Sequence, residues 1–144
     1  MTKAMRFDNV PVKYRGNKRA SDNFIHSNCL VIDVDNNHSE EPQDWVTVDN
    51  IKTGFPNVPF YAVYSRNHNK EKNGAKARPK FHLYFPIEKM TDTKRYKSIK
   101  DNLCACFSAF DFCATDNARF FFGVVSPQVE YVDGNVTIEK FLQC

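Results

Sequence analysis

The run Cys29-Leu30-Val31-Ile32-Asp33-Val34-Asp35 constrains this chain more than any other stretch. Apolar residues running directly into two acids read as a short buried strand whose C-terminal end carries carboxylates. In a strand, residues i and i+2 point to the same face. Asp33 and Asp35 therefore stand side by side, with Cα atoms ~7 Å apart. Like charges at that spacing repel unless a positive group lies between them. A divalent cation is a natural solution, because Mg²⁺ and Mn²⁺ favour carboxylate oxygens. The plainer alternative is a strand end turning into a solvated acidic loop, since Asn36 and Asn37 follow and both favour turns.

The rest of the chain reads as α+β with a mostly antiparallel sheet. Its 144 residues suit one domain. Residues 1–28 are polar, with Lys13, Arg15, Lys18 and Arg19 clustered, and read as a basic N-terminal arm that packs late on a core of residues 29–144. Pro42 suits a first helical turn, and Trp45, Val48 and Ile51 at three-residue spacing suit one face of a short helix ended by Gly54 and Pro56. Residues 58–65 (VPFYAVYS) and 81–87 (FHLYFPI) read as strands joined by a long hairpin loop. Tyr96, Ile99, Leu103, Phe107 and Phe110 fall at steps of three and four, which marks an amphipathic helix. Residues 119–125 (RFFFGVV) read as a further strand, and Asp133-Gly134 as the turn of a hairpin between 128–132 and 135–138.

Composition excludes several classes. No apolar run approaches the ~20 residues of a membrane span, so no membrane partner is expected. The first residues lead into Asp8 and Asn9 and not into an apolar stretch, so no signal peptide is readable. The five cysteines are an odd number, which points to reduced thiols and a cytoplasmic location. Cys104, Cys106 and Cys113 lack zinc-ligand spacing and a nearby His, and read as small thiols of a helix core. The net charge of +3 is too mild to prove a nucleic-acid partner. Its distribution says more: residues 66–80 hold Arg66, Lys70, Lys72, Lys76, Arg78 and Lys80 against Glu71 alone. A basic loop near an acidic metal centre fits a polyanionic substrate, although a solvated hairpin tip is the usual fate of such a run.

Two further clusters carry possible chemistry. On the strand at 81–87, Lys80, His82 and Tyr84 share one face, and Phe81, Leu83 and Phe85 share the other. An imidazole beside a lysine stays neutral without an anion, and a bound phosphate would supply one. Downstream, Phe110-Asp111 and then Asp116-Asn117-Ala118-Arg119 offer another acid and a guanidinium suited to phosphate. Asp111 or Asp116 could instead cap a turn and pair with Arg119.

The order of these motifs resembles the archaeo-eukaryotic primase superfamily, the primase-polymerases, whose three motifs are hhhDhD/E, SxH and hD/E. Leu30 to Asp35 matches the first. Lys80-Phe81-His82 matches the second with Lys in place of Ser, and Phe110-Asp111 matches the third. Arg119 lies where related enzymes carry a nucleotide-contacting arginine, and residues 78–86 with 111–123 resemble primases of phages and mobile elements. The likeness spans about residues 29–125. It implies an RRM-like sheet with packed helices and template-directed nucleotidyl transfer. Asp33, Asp35 and Asp111 would hold two Mg²⁺ or Mn²⁺ ions, with Asp116 an alternative third acid. His82, Arg119 and Lys80 would hold the nucleoside triphosphate, and Arg66, Lys70, Lys72 and Arg78 a single-stranded or primed DNA template. A helicase or accessory replication domain is the implied partner in a larger assembly.

Two other functions remain open on the residues. One is a non-catalytic RRM-like module that stacks single-stranded nucleic acid on aromatics such as Tyr84 or Phe121, though an RNP-type run is missing. The other is a DNA-nicking initiator with a Tyr nucleophile, which the lack of a His-x-His pair disfavours.

Overall fold

The computed structural model describes residues 1–111 and 116–143. The elements are β1 (Val12–Tyr14), β2 (Phe24–Val34), α1 (Val48–Gly54), β3 (Phe60–Tyr64), β4 (Phe81–Met90), α2 (Thr93–Cys104), β5 (Val129–Val132) and α3 (Ile138–Phe141). The strands form one antiparallel five-stranded sheet in the order β1-β2-β4-β3-β5. The class is α+β, as the alternation of strand and helix patterns implied. No described helix is long and apolar enough to cross a membrane.

Strand alternation sends two sets of side chains to opposite faces. Leu30, Ile32 and Val34 of β2 and Phe81, Leu83 and Phe85 of β4 join Val48 and Ile51 of α1, Tyr96, Ile99 and Leu103 of α2, and Ile138 of α3 in the main core. The intervening residues, Val31, Val63 and Tyr84, meet Met5 and Phe121 in a smaller cluster on the other face. The two longer helices, α1 and α2, start at side-chain caps. Thr47 and Asn50 form a capping box at α1, and the Asp92 carboxylate accepts from the amides of Lys94 and Arg95 at α2. α1 stops at Gly54, where a Cβ would lie 2.5 Å from the Phe107 ring.

Several boundaries differ from the sequence reading. Residues 1–28 are not a late-packing arm: β1 pairs with β2, β2 itself begins at Phe24, and Met5, Val12 and Tyr14 are buried. Trp45 is not on the helix; it follows a 3-10 turn at Pro42–Asp44, and its indole N–H donates to the Ser39 carbonyl at 3.0 Å. α2 ends at Cys104, and Phe107 and Phe110 pack on the core from beyond it. Residues 119–125 form no extended strand; only Phe121 makes a bridge, with Asn9. The expected C-terminal hairpin is absent: β5 pairs with β3, and residues 138–141 are helical. Gly134 is therefore no hairpin turn but a point of close approach to the Asn57 carbonyl. Cys104 is buried and Cys106 exposed, while Cys113 and Cys144 lie outside the described residues.

Candidate metal and anion site

The site lies on the sheet face away from the helices, at the C-terminal end of β2. Asp33 is the cross-strand partner of His82 on β4. On the other side of β2, residues 109–111 run antiparallel through a bridge between Val34 and Phe110. The Asp111 amide donates to the Asp33 carbonyl at 2.9 Å, and the Asp35 amide to the Ala109 carbonyl at 3.3 Å. Pleat and pairing thus bring Asp33, Asp35 and Asp111 to one face. One carboxylate oxygen from each lies within 4.8 Å of those of the other two.

Each acid faces its own base. His82 Nε2 lies 3.4 Å from Asp33 Oδ1, Lys80 Nζ 3.5 Å from Asp35 Oδ1, and Arg119 Nη2 4.0 Å from Asp111 Oδ2. Burial first, then the charges of Asp35 and Asp111, push the Asp33 carboxyl up to about 7. Burial pulls the His82 imidazole down to about 4, with Arg119 adding to the effect and Asp35 opposing it. His82 is therefore neutral at pH 7, and its contact with Asp33 is no ion pair.

The donor set fits a hard divalent cation. Mg²⁺, Mn²⁺ and Ca²⁺ take oxygen ligands at roughly 2.0–2.6 Å, so oxygens sharing one ion lie at most about 4–5 Å apart. A cation here would offset both the burial of the Asp33 charge and its repulsion by Asp35 and Asp111, which together hold its proton on.

The loop after the acids is anchored at Asn36, while Asn37, His38 and Glu40 beyond it are exposed. Asn36 is fully buried with φ of 53°, and its side-chain amide donates to the carbonyls of Val46 and Pro79 while its Oδ1 accepts from the Val46 amide. Arg78 completes this clamp. Its guanidinium is 2 % exposed, donates to the Asn36 carbonyl at 2.9 Å, pairs with Glu40 at 2.7 Å and lies over the Trp45 ring. Arg78 is thus a structural residue holding the acidic loop, and its expected contact with a nucleic acid is corrected: a strand of phosphates cannot reach it.

Other sequence-named residues divide. Arg66, Lys72, Lys80 and His82 border one opening onto Asp33 and Asp35, together with Arg119 and Phe122. Arg119, with Arg19, Phe120, Phe121 and Phe122, borders a second opening onto Asp33 and His82. Lys70 lines neither; it sits on the outer hairpin beside His68 and Val124. Asp116 is not in the acid trio: its carboxylate accepts from Ser21 Oγ and the Ala118 amide, which holds it below its ordinary value. Tyr84 and Phe121, the aromatics named for stacking, are 5 % and 2 % exposed and pack into the roof of the site, so neither offers a face to a base. The Tyr84 hydroxyl donates to Asn9 Oδ1 at 3.1 Å, tying that roof to the N-terminal segment.

Asn36, Arg19, Phe120 and Phe122 were missed as contributors. Alternation along the Phe run could have flagged residues 120 and 122 as the outward pair once 121 was taken as inward. Nothing local marks Arg19, which reaches residue 118 from a hundred residues away. Comparison with protein-family models, curated proteins and solved structures gave no match to the chain.

Proposed function

We propose that the protein is a metal-dependent nucleotidyltransferase of primase-polymerase type, extending or starting a strand on a nucleic-acid template. The observation that carries this reading is the convergence of Asp33, Asp35 and Asp111, from two distant segments, within 4.8 Å of one another beside three bases. The order β2-α1-β3-β4-α2-β5, with β4 between β2 and β3, supports an RRM-like core. The final strand departs from that pattern by lying beside β3, while β1 takes the β2 edge.

In this reading the three aspartates hold Mg²⁺ or Mn²⁺. Such ions, when bound, lower the pKa of a primer 3′-hydroxyl and neutralise the charge on a leaving pyrophosphate. Arg119 and Lys80 hold the triphosphate of the incoming nucleotide, exchanging their contacts with Asp111 and Asp35 for phosphate oxygens. Neutral His82 donates a hydrogen bond to phosphate from its protonated ring nitrogen, a role that Lys80 complements with charge. Arg66 and Lys72, at the rim of the same opening, hold the template backbone. No side chain serves as a nucleophile.

Primer extension on a primed template with Mg²⁺ or Mn²⁺ tests the proposal. Wild type extends, and Asp33→Ala or Asp35→Ala abolishes extension while the protein stays folded. Full activity in either variant would remove it.

A further inference from the structure

We propose that Phe120 and Phe122, flanked by the Arg19 and Arg66 guanidiniums, form a stacking platform for the unpaired bases of a single-stranded nucleic acid. Its choice of ligand rests on the nucleotidyltransferase reading, but the binding it describes needs no metal.

The platform follows from the local backbone. The Phe121 amide and carbonyl each bond to Asn9, at 2.9 Å, which pins Phe121 in an isolated antiparallel bridge. Phe121 then points inward against His82 and Tyr84, and its neighbours point outward. The Phe120 and Phe122 rings lie 4.9 Å apart at 72°. The Arg19 guanidinium sits 4.6 Å from the Phe120 ring centre, and that of Arg66 4.6 Å from the Phe122 ring centre. Arg19 is itself anchored, donating to the Ala118 carbonyl at 2.6 Å.

Charge selects the occupant. Phe122 is 51 % exposed, a large apolar ring held in water at the rim of the acidic site. A hydrophobic protein partner covering it would have to desolvate Arg66 at the same time, with no counter-charge to offset the loss. A polyanion with flat bases meets both demands: bases stack on the rings, and phosphates pair with the guanidiniums. A duplex keeps its base faces covered, so the fit is to a single strand. Phe122 borders both openings onto Asp33 and Phe120 borders one of them, which sets a stacked strand next to the acids.

The test is fluorescence anisotropy of a labelled oligothymidylate of about 12 nucleotides, titrated with the full chain in EDTA over a range of salt. Wild type is expected to bind the single strand more tightly than a duplex of equal length. Phe122→Ala and Phe120→Ala should each weaken binding roughly 10-fold without changing the salt slope. Phe122→Tyr should retain affinity, and Phe122→Leu should not. Arg66→Ala should lower the slope of log K against log salt by about 0.7. Phe122 is exposed, so its variants keep the test open even where Phe120→Ala fails to fold. Alanine variants that bind like wild type, no preference for the single strand, or no binding would each overturn the platform. Stacking-dependent binding without any primer extension would leave the platform standing and remove the nucleotidyltransferase reading.

Discussion

The backbone amide of Asp111 donates to the carbonyl of Asp33 at 2.9 Å, and this hydrogen bond sets the third carboxylate of the site beside the first. Asp33 lies between Asp111 on one side and His82 on the other, in the middle of three adjacent extended segments. Burial first, and then two neighbouring acids, raise its carboxyl to about 7.

That rise has a measurable consequence. A carboxyl raised from 3.8 to about 7 binds its proton in the folded state and not in the unfolded state between those values. Its contribution to stability is therefore full below about pH 4 and lost as the pH rises through 7. His82, lowered to about 4, works in the opposite direction between pH 4 and 6.5, so the wild-type profile alone does not isolate Asp33. Comparison with Asp33→Asn does. In EDTA the variant should be more stable than wild type by on the order of 1–3 kcal/mol at pH 8, with the gap shrinking towards pH 4. Urea denaturation across that range measures it, and a gap independent of pH would contradict the assignment.

Metal binding should release the same proton. Mn²⁺ affinity is expected to rise with pH and level off above about 7, with close to one proton released per protein at pH 6. Calorimetric titration in buffers of different ionisation enthalpy counts the protons. Binding without release at pH 6 would place the ion away from Asp33.

Arg78→Met should destabilise the fold by roughly 2–4 kcal/mol, because it removes a buried guanidinium from the Asn36 carbonyl and from Glu40. Urea denaturation gives the value. Single-strand affinity of the folded fraction should stay near that of wild type, whereas a selective loss of binding at unchanged stability would return Arg78 to the nucleic-acid surface.

Gly123 has no room for a side chain: a Cβ there would lie 2.5 Å from the Arg6 carbonyl oxygen and 2.6 Å from the Phe7 carbonyl carbon. Both neighbours are backbone, so Gly123→Ala must push residues 119–124 away from the N-terminal segment. A loss of about 1–3 kcal/mol is expected by chemical denaturation. A neutral substitution would show that this segment is not held against the roof of the site.

What was legible in the sequence was what short-range periodicity encodes. The apolar run from Leu30 into Asp33 and the alternation from Phe81 to Phe85 reported two central strands, and Asp33 and Asp35 on one face followed from strand geometry alone. Long-range pairing was not legible. Residues 12–14 become a strand only because β2 offers a free edge, and three residues of polar and apolar character carry no period of their own. The run at 119–125 had the composition of a strand, but it forms one β-bridge, Phe121 with Asn9, and its other bonds to the N-terminal segment are single ones, from the Gly123 amide to Asp8 and the Val124 amide to Met5, so β-propensity found a bridge in place of a ladder. Asp133-Gly134 had hairpin chemistry, yet β5 found its partner in β3. Arg78 read as one of a basic run because sequence shows charge and not depth; its burial depends on Glu40, Asn36 and Trp45, all more than thirty residues away.

Crystals soaked with Mn²⁺ and a non-hydrolysable nucleoside triphosphate give the most direct measurement, through anomalous scattering at the manganese edge. The expected result is manganese bridged by carboxylate oxygens of Asp33, Asp35 and Asp111, with the triphosphate against Arg119 and Lys80. Manganese bound elsewhere, or a trio still bare at saturating metal and nucleotide, would contradict the proposed activity.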